Sequence, residues 1–241
     1  MITIRSGGIW LAAALASFPN RNGAAGVAPP NPVIWMIDNV KQIGGSAPIV
    51  LGEPLAAAGG PGLCFNGVGD GLILPVDPIA GLKAFTIEVL IEPLAGGPAA
   101  QRFLHIEDGH GNRTRMEIRM EGDGRWCLDT FLLCGDTRLT LIDRSRLHPA
   151  GQWHWVALCC DGRRMDHFVN GVKELEGSVT FTPFAAGRIS LGVRLNQEFW
   201  FKGMIREVRF HAAAVAPEDL QRIPWAGVAR IKGRPGRDPT G

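Results

Sequence analysis

The residues able to do chemistry fall at alternate positions of short runs. Glu88, His105, Glu117 and Asp129 are the candidate acids, bases or hydroxyl acceptors, with Arg115, Arg119, Trp126 and Trp200 as neighbours. Between Thr114 and Glu121, the residues Arg115, Glu117, Arg119 and Glu121 share one parity, opposite Met116, Ile118 and Met120. On a strand that places four charged side chains on one face. Such a face suits holding a polar ligand, with indoles such as Trp126 or Trp200 stacking on sugar rings. It also suits splitting a glycosidic bond between two carboxyls, about 5–5.5 Å apart for retention or about 6.5–9.5 Å for inversion. Within one strand the second chemistry fails, because Glu117 and Glu121 would lie about 13 Å apart at a rise of about 3.3 Å per residue. A cross-strand pair such as Glu88 with Glu117 keeps it open. The plain alternative is a solvated face of an antiparallel sheet.

Other chemistries find little support. There is no Gly-x-Ser-x-Gly elbow, and Gly67-x-Gly69-x-Gly71 lacks the helix that a phosphate loop needs. The five cysteines, Cys64, Cys127, Cys134, Cys159 and Cys160, contain no Cys-x-x-Cys pair, so a structural zinc site of that kind is not indicated. Cys159 and Cys160 are strand neighbours and point to opposite faces. Cys127 and Cys134 could pair across a turn, or stay buried as small hydrophobes. His154 sits between Trp153 and Trp155 and so faces away from both. A hydrogen-bonded sheet histidine is expected there.

The elements that must position these residues are strands. Between Gly151 and Gly177, Asp161-Gly162 and Asn170-Gly171 divide the chain into three strands joined by tight turns, since both dipeptides accept positive φ. Leu63 to Leu74 predicts two more strands around an Asn66–Asp70 turn. Phe85, Ile87, Val89 and Ile91 alternate with Thr86, Glu88, Leu90 and Glu92. Further strands are expected at Arg102–Glu107, Thr114–Glu121, Arg125–Leu133, Arg138–Asp143, Arg188–Arg194 and Phe199–Phe210, the last with a break near Gly203. Strict alternation sets Arg102, Leu104 and Ile106 opposite Phe103, His105 and Glu107. Turn signals about every ten residues indicate a two-sheet sandwich. Pro32 to Gly60 predicts edge strands and loops, and Pro217 to Arg222 a short helix with Pro at its start. Trp153 and Trp155 share a parity, and a central strand commits one face to the opposing sheet, so both are expected in the core with Phe168 and Val172, the alternative being a platform on which sugar rings stack.

Several of these segments resemble the laminin G-like domains of the concanavalin A-like lectin/glucanase group. They are Trp153-His154-Trp155-Val156-Ala157-Leu158, the Asp161-Gly162 turn and Phe168-Val169-Asn170-Gly171. Upstream are Leu63-Cys64-Phe65-Asn66-Gly67, Asp70-Gly71-Leu72-Ile73-Leu74 and the run from Phe85 to Ile91. Downstream are Phe201 to Phe210 and the turn from Ala216 to Leu220. The resemblance spans roughly residues 60 to 222. It implies an all-β fold, a two-sheet antiparallel jelly roll, with a ligand on the concave face of one sheet. It also implies calcium at a sandwich rim, for which Asp70 and Asp77 lie in suitable loops. Family glucanases carry Glu-x-Asp-x-x-Glu on one strand. Here Glu117-Ile118-Arg119-Met120-Glu121 has Arg119 in place of the Asp and its second Glu one position early. Alginate lyases of this fold pair Arg-x-Glu-x-Arg with Gln-Ile-His and Tyr-Phe-Lys strands. Arg115-Met116-Glu117-Ile118-Arg119 and Trp200-Phe201-Lys202 echo two of them, but His105 precedes rather than follows the first. The chain also has no tyrosine, the residue those lyases use as acid or base.

The 241 residues suit one large β domain with trimmings, residues 29–225. The leader, residues 1–28, has Arg5, an apolar run Ile9 to Ala16 and an Ala-x-Ala-like end at Gly26-Val27-Ala28, which predicts a secretory signal peptide or a disordered lead-in. That run is too short to span a bilayer. Residues 226–241 are expected to form a basic, disordered tail. Net charge is +2, but the leader holds two positive charges and the tail four against one negative, leaving the body at −3. A body of that sign makes a poor general nucleic-acid binder. The expectation is a secreted or periplasmic, non-catalytic module that binds a polysaccharide or other glycan. The alternatives are a polysaccharide lyase or glycoside hydrolase using the same acids, and an adhesion or assembly module whose sheet edges dock protein.

Overall fold

The computed structural model describes residues 31–57 and 62–223. The leader through residue 30, and the tail from residue 224, lie outside the described residues. Sixteen strands follow in chain order: β1 (Val33–Met36), β2 (Ile49–Leu51), β3 (Leu55–Ala56), β4 (Leu63–Asn66), β5 (Gly71–Leu74), β6 (Phe85–Pro93), β7 (Ala100–Asp108) and β8 (Arg113–Met120). They continue with β9 (Arg125–Cys134), β10 (Thr137–Ile142), β11 (His148–Pro149), β12 (His154–Cys160), β13 (Arg164–Val169), β14 (Val172–Ser178), β15 (Gly187–Leu191) and β16 (Lys202–His211). Among the described residues the only helical element is the 3-10 turn Pro217–Asp219.

The strands form two antiparallel eight-stranded sheets of a jelly-roll sandwich. The first runs β14-β13-β12-β6-β16-β4-β3, with β1 also on β16. The second runs β10-β9-β8-β7-β15-β5-β2, with β11 also on β9. The turns match the sequence. Asn170 and Gly171 both take positive φ, 49° and 73°, as a two-residue hairpin between β13 and β14 requires.

The core lies between the sheets. The first sheet contributes Ile87, Val89 and Ile91 of β6, Val156, Leu158 and Cys160 of β12, and Ile205 and Val208 of β16. The second contributes Leu104 and Ile106 of β7, Met116 and Ile118 of β8, and Leu128 and Leu132 of β9. Cys159 and Cys160 do face opposite ways, Cys160 into this core and Cys159 outward. All five cysteines are free.

Parity on β12 corrects one expectation. The inward set is Val156, Leu158 and Cys160, so Trp155 lies on the outer face of the first sheet. There Arg209 sits over its ring, 5.1 Å from the centroid. Phe168 is also outside, packed with Ala157, Cys159, Val215 and Leu220, and Val172 is 64% exposed. Residues 212–220 fold back over this outer face. Their apolar side chains Val215 and Leu220 cover it where a bare sheet would leave Phe168 in water.

Candidate functional site

The second sheet leaves its outer face to a polar layer. Cross-strand pairing sets that layer in three rows. The first is Arg102–Glu117–Asp129, the second Ser190–His105–Arg115–Phe131, and the third Arg188–Glu107–Arg113–Leu133–Arg138. Five of the residues singled out from the sequence, His105, Arg115, Glu117, Arg119 and Asp129, therefore stand together. Arg102 joins them although alternation sets it on the other face. A bulge between Arg102 and Leu104 shifts the register by one residue, so Arg102 opposes Glu117 while Leu104 still points into the core.

Glu117 is the centre of the layer and is 1% exposed. Its Oε2 lies 3.0 Å from Arg102 Nε and accepts a hydrogen bond from Arg119 Nη2 at 3.1 Å, and its Oε1 lies 3.1 Å from Arg115 Nε. The Arg102 and Arg115 contacts are ionic only, because neither Nε–H is aligned for a hydrogen bond. Arg119 also donates from Nε to Asp129 Oδ2 at 2.7 Å, so one guanidinium ties both carboxylates. Burial raises the pKa of Glu117, against the pull of Arg115 and Arg102. Burial lowers that of Arg115 to about 10 and lowers that of Arg102, while Glu117 opposes both. Phenylalanine rings flank the cations. Arg102 sits 3.6 Å from the Phe199 centroid and Arg115 4.1 Å from that of Phe131.

His105 is a support in this layer. Its Nδ1 accepts the backbone N–H of Leu195 at 3.1 Å, which leaves the ring proton on Nε2. Burial first, then Arg115, Arg194, Arg113 and Arg102, push its pKa down to about 3. Arg102 holds the same loop at its other end, donating its backbone N–H to Phe199 O at 2.9 Å. The segment from Gly192 to Phe199 is thereby fixed along one margin of the face. At the third row a groove of about 500 Å³ opens between Pro75, Glu107, Asp108 and Arg188.

The remaining sequence candidates lie elsewhere. Glu88 is on β6, in the other sheet. It is buried beneath the C-terminal segment, where Oε1 meets His211 Nε2 at 2.8 Å and Oε2 accepts the Gln221 N–H at 2.6 Å. Trp126 shares the inward parity of Leu128 and Leu132. It is fully buried, packs against His148 and His154, and donates Nε1–H to Pro149 O at 3.2 Å. Trp200 lies at the margin of the second sheet over Gly71 of β5, two strands from β7. Asp70 braces a turn, its two oxygens accepting the N–H groups of Glu53 and Asn66 at 2.9 and 3.0 Å. Asp77 accepts the Ile79 N–H through Oδ1 at 2.9 Å, while Oδ2 is buried without a partner and burial raises its pKa to about 6. Among the described residues no group of three His, Cys, Asp or Glu side chains is placed to hold a metal ion. His154 is the expected structural histidine, with Nε2 on Pro149 O at 3.1 Å and Nδ1 facing Asn170 Nδ2 at 3.3 Å. Trp153 lines a separate cleft of about 570 Å³ with His148, Gln152, Asn170 and Arg222.

On this layer the carboxylate pair Glu117 and Asp129 is poorly placed for hydrolysis. Hydrolysis needs one carboxylic acid free to protonate the leaving oxygen and a second carboxylate free to attack or activate water. Here Glu117 and Asp129 are both tied to Arg119.

Comparison with known proteins places the architecture. The family model described as the concanavalin A-like lectin/glucanases superfamily matches residues 66–221. No curated protein matches the sequence. Among solved structures, the receptor-binding domain of botulinum neurotoxin C/D mosaic serotype is 11% identical with a TM-score of 0.58. The match covers 78% of this chain and 49% of that one, so the chain spans about half its length. Domain 4 of the extracellular GH43 arabinanase AbnA from Geobacillus stearothermophilus, in complex with arabinotriose, is 19% identical over 78% of this chain and 84% of that one, with a TM-score of 0.48. The CBM40 of the Ruminococcus gnavus IT-sialidase, bound to α2,6-sialyllactose, is 18% identical over 58% and 82%, with a TM-score of 0.45. At such identities the likeness is one of fold. Among the described residues no helix is long and apolar enough to cross a membrane.

Proposed function

The chain belongs to the concanavalin A-like lectin/glucanases superfamily, and on that premise we propose that it is an exported, non-catalytic carbohydrate-binding module. Its glycan lies against the outer face of the second sheet, over Arg102, Arg115, Arg119 and the ring of Phe199. The observation that carries this reading is the preorganised polar layer. Its guanidinium groups are held by Glu117, Asp129 and two phenylalanine rings on rigid strands, so a ligand meets fixed donors and little side-chain entropy is lost on binding. The outer face of the first sheet is instead covered over Ala157, Cys159 and Phe168 by Val215 and Leu220.

A lyase or hydrolase on the same face has less to work with. His105 is buried and neutral, and its Nδ1 lone pair is already engaged by Leu195. The leader sequence supports export. Calcium enters the proposal only through Asp77, whose Oδ2 is buried without a hydrogen-bond partner, whereas both oxygens of Asp70 accept backbone N–H groups. A shift in melting temperature between calcium and chelator tests it.

Glycan-array binding by the purified chain, with Arg115→Ala abolishing it, is the expected result. Release of reducing ends or unsaturated products from a polysaccharide panel, lost in Glu117→Gln, would instead make the protein an enzyme. An array without hits, alongside capture of a protein ligand, would favour the adhesion alternative. N-terminal sequencing of protein recovered from the medium or periplasm tests export.

A further inference from the structure

The body of the chain is acidic, yet one face is not. Residues 29–225 contain fifteen arginines and four lysines and carry a net charge of −3. Seven of those arginines, Arg102, Arg113, Arg115, Arg119, Arg138, Arg188 and Arg194, gather on or beside the outer face of the second sheet. None of the lysines takes a place in its three rows. Arg194 belongs to the group through the loop at the margin, close enough to Arg115 and His105 to disfavour the charged form of each. Against the seven stand Glu107, Glu117, Asp129 and Glu198, with Asp108 in the groove beside Arg188 and Glu121 just past the end of β8, and His105 is neutral.

That bias is toward a planar, forked donor rather than toward positive charge alone. Guanidinium groups bind carboxylate and sulfate oxygens through two parallel N–H bonds, which an ammonium group cannot do. Several of the donors also remain unused. Arg102 Nε and Nη1 and the Nε atoms of Arg113, Arg115 and Arg194 are buried without a hydrogen-bond partner. Buried donors left unpaired in a folded protein call for a ligand or an ordered water. Glu117 meets part of that need through ionic contact, its Oε2 lying 3.0 Å from Arg102 Nε and its Oε1 3.1 Å from Arg115 Nε. That leaves Arg102 Nη1 and the Nε atoms of Arg113 and Arg194 without a partner.

We infer that this face is built for an anionic polysaccharide, whose carboxylate or sulfate groups pair with Arg113, Arg115, Arg138 and Arg188 across neighbouring strands. The inference rests on the carbohydrate-binding reading above and narrows it to sugars that carry oxyanions. Uronate carboxylates and sulfate esters share this chemistry, and the groove between Glu107 and Arg188 leaves open space at the end of the third row.

Isothermal titration against four polymers tests it: polygalacturonate, dextran sulfate, unsubstituted dextran and double-stranded DNA. Binding is expected to polygalacturonate or dextran sulfate and not to dextran, and which of the two binds identifies the anion. It should weaken at least tenfold between 50 and 500 mM NaCl. Arg115→Gln should weaken it at least tenfold, and Arg209→Gln, beside Trp155 on the outer face of the first sheet, should leave it unchanged. Should Arg115→Gln fail to fold, the exposed double variant Arg138→Gln/Arg188→Gln should still weaken binding several-fold. Equal, salt-insensitive binding to dextran would overturn this inference and leave the carbohydrate-binding reading standing. Binding to none of the polysaccharides would sink both. DNA bound as tightly as the acidic polysaccharides would show a general anion surface and overturn the inference.

Discussion

Glu88 and Glu117 are equally buried, and both touch a basic side chain, yet their work differs. Glu117 organises a layer of arginines on an outer face, whereas Glu88 pins the C-terminal segment to the first sheet through His211 and the Gln221 N–H. Glu88→Ala is therefore expected to cost about 1–3 kcal/mol, because it leaves a buried amide and an imidazole unpaired. Chemical denaturation should show that loss while glycan binding stays unchanged. Buried histidines set a second residue-scale effect. The pKa values of His105, His154 and His167 fall to about 3, 4 and 4, each mainly through burial. Their stability is fully present above the unfolded value of about 6.5 and is lost as pH falls toward the folded values. Asp77 works the other way, since its folded pKa is raised to about 6 and its contribution is lost as pH rises from about 4. Near pH 5 the three histidines take up protons on unfolding, while Asp77, and Glu117 with its raised pKa, release them. The histidines leave a net uptake on the order of one proton, roughly 1 kcal/mol of stability lost per unit fall in pH. Denaturant midpoints that stay flat between pH 7 and pH 5 would contradict it.

At the scale of elements, the loop from Gly192 to Phe201 decides how the arginine face is bounded. Gly192 opens it at φ 78°, where a Cβ would come 2.2 Å from the Phe65 ring. Two non-glycine residues, Gln197 and Phe199, are then held at φ 60°. A left-handed conformation costs roughly 1–2 kcal/mol for an L-residue, and most of all for a bulky one. At Phe199 the cost is offset by its ring on Arg102 and by its carbonyl accepting the Arg102 N–H. At Gln197 the only such contact among the described residues is the backbone turn with Arg194. Gln197→Gly is accordingly expected to raise stability by up to about 1 kcal/mol. Phe199→Gly, although it relieves the same strain, should weaken ligand binding and free the Arg102 side chain. Thermal denaturation and binding titration of the two variants separate the effects. Elements were also where the sequence was most and least legible. Asp-Gly and Asn-Gly turns marked β12 and β13, and clean alternation marked β6 and β8. Arg102 was hidden because its bulge breaks the period of two that assigns faces. Trp155 was hidden because β12 is apolar on both faces, and only packing against the opposing sheet chooses between them.

At the scale of the whole molecule, the missing information was sheet membership. Period-2 patterns place Glu88 and Glu117 on polar faces equally well, and pairing between distant strands sends β6 to one sheet and β8 to the other. The chain then closes one of its two outer faces with its own C-terminal segment and leaves the other to arginines. That closure makes residues 212–220 part of the fold. Val215 donates its backbone N–H to Thr86 Oγ1 at 2.9 Å, and Val215 and Leu220 cover Ala157, Cys159 and Phe168. Cys159 lies beneath this segment, and burial holds its thiol pKa above the ordinary value. Cys160, one residue on, faces the core between the sheets, where burial pushes its pKa to about 12. Ending the chain after His211 should thus uncover one thiol and leave its neighbour protected. A native-state thiol-labelling time course on the truncated chain, read by peptide mass mapping, should show Cys159 modified rapidly and Cys160 only on unfolding. In the full chain both should react slowly. Equal protection of Cys159 in the two chains would mean that the C-terminal segment does not close the first sheet, and the case for the second sheet as the binding face would weaken with it.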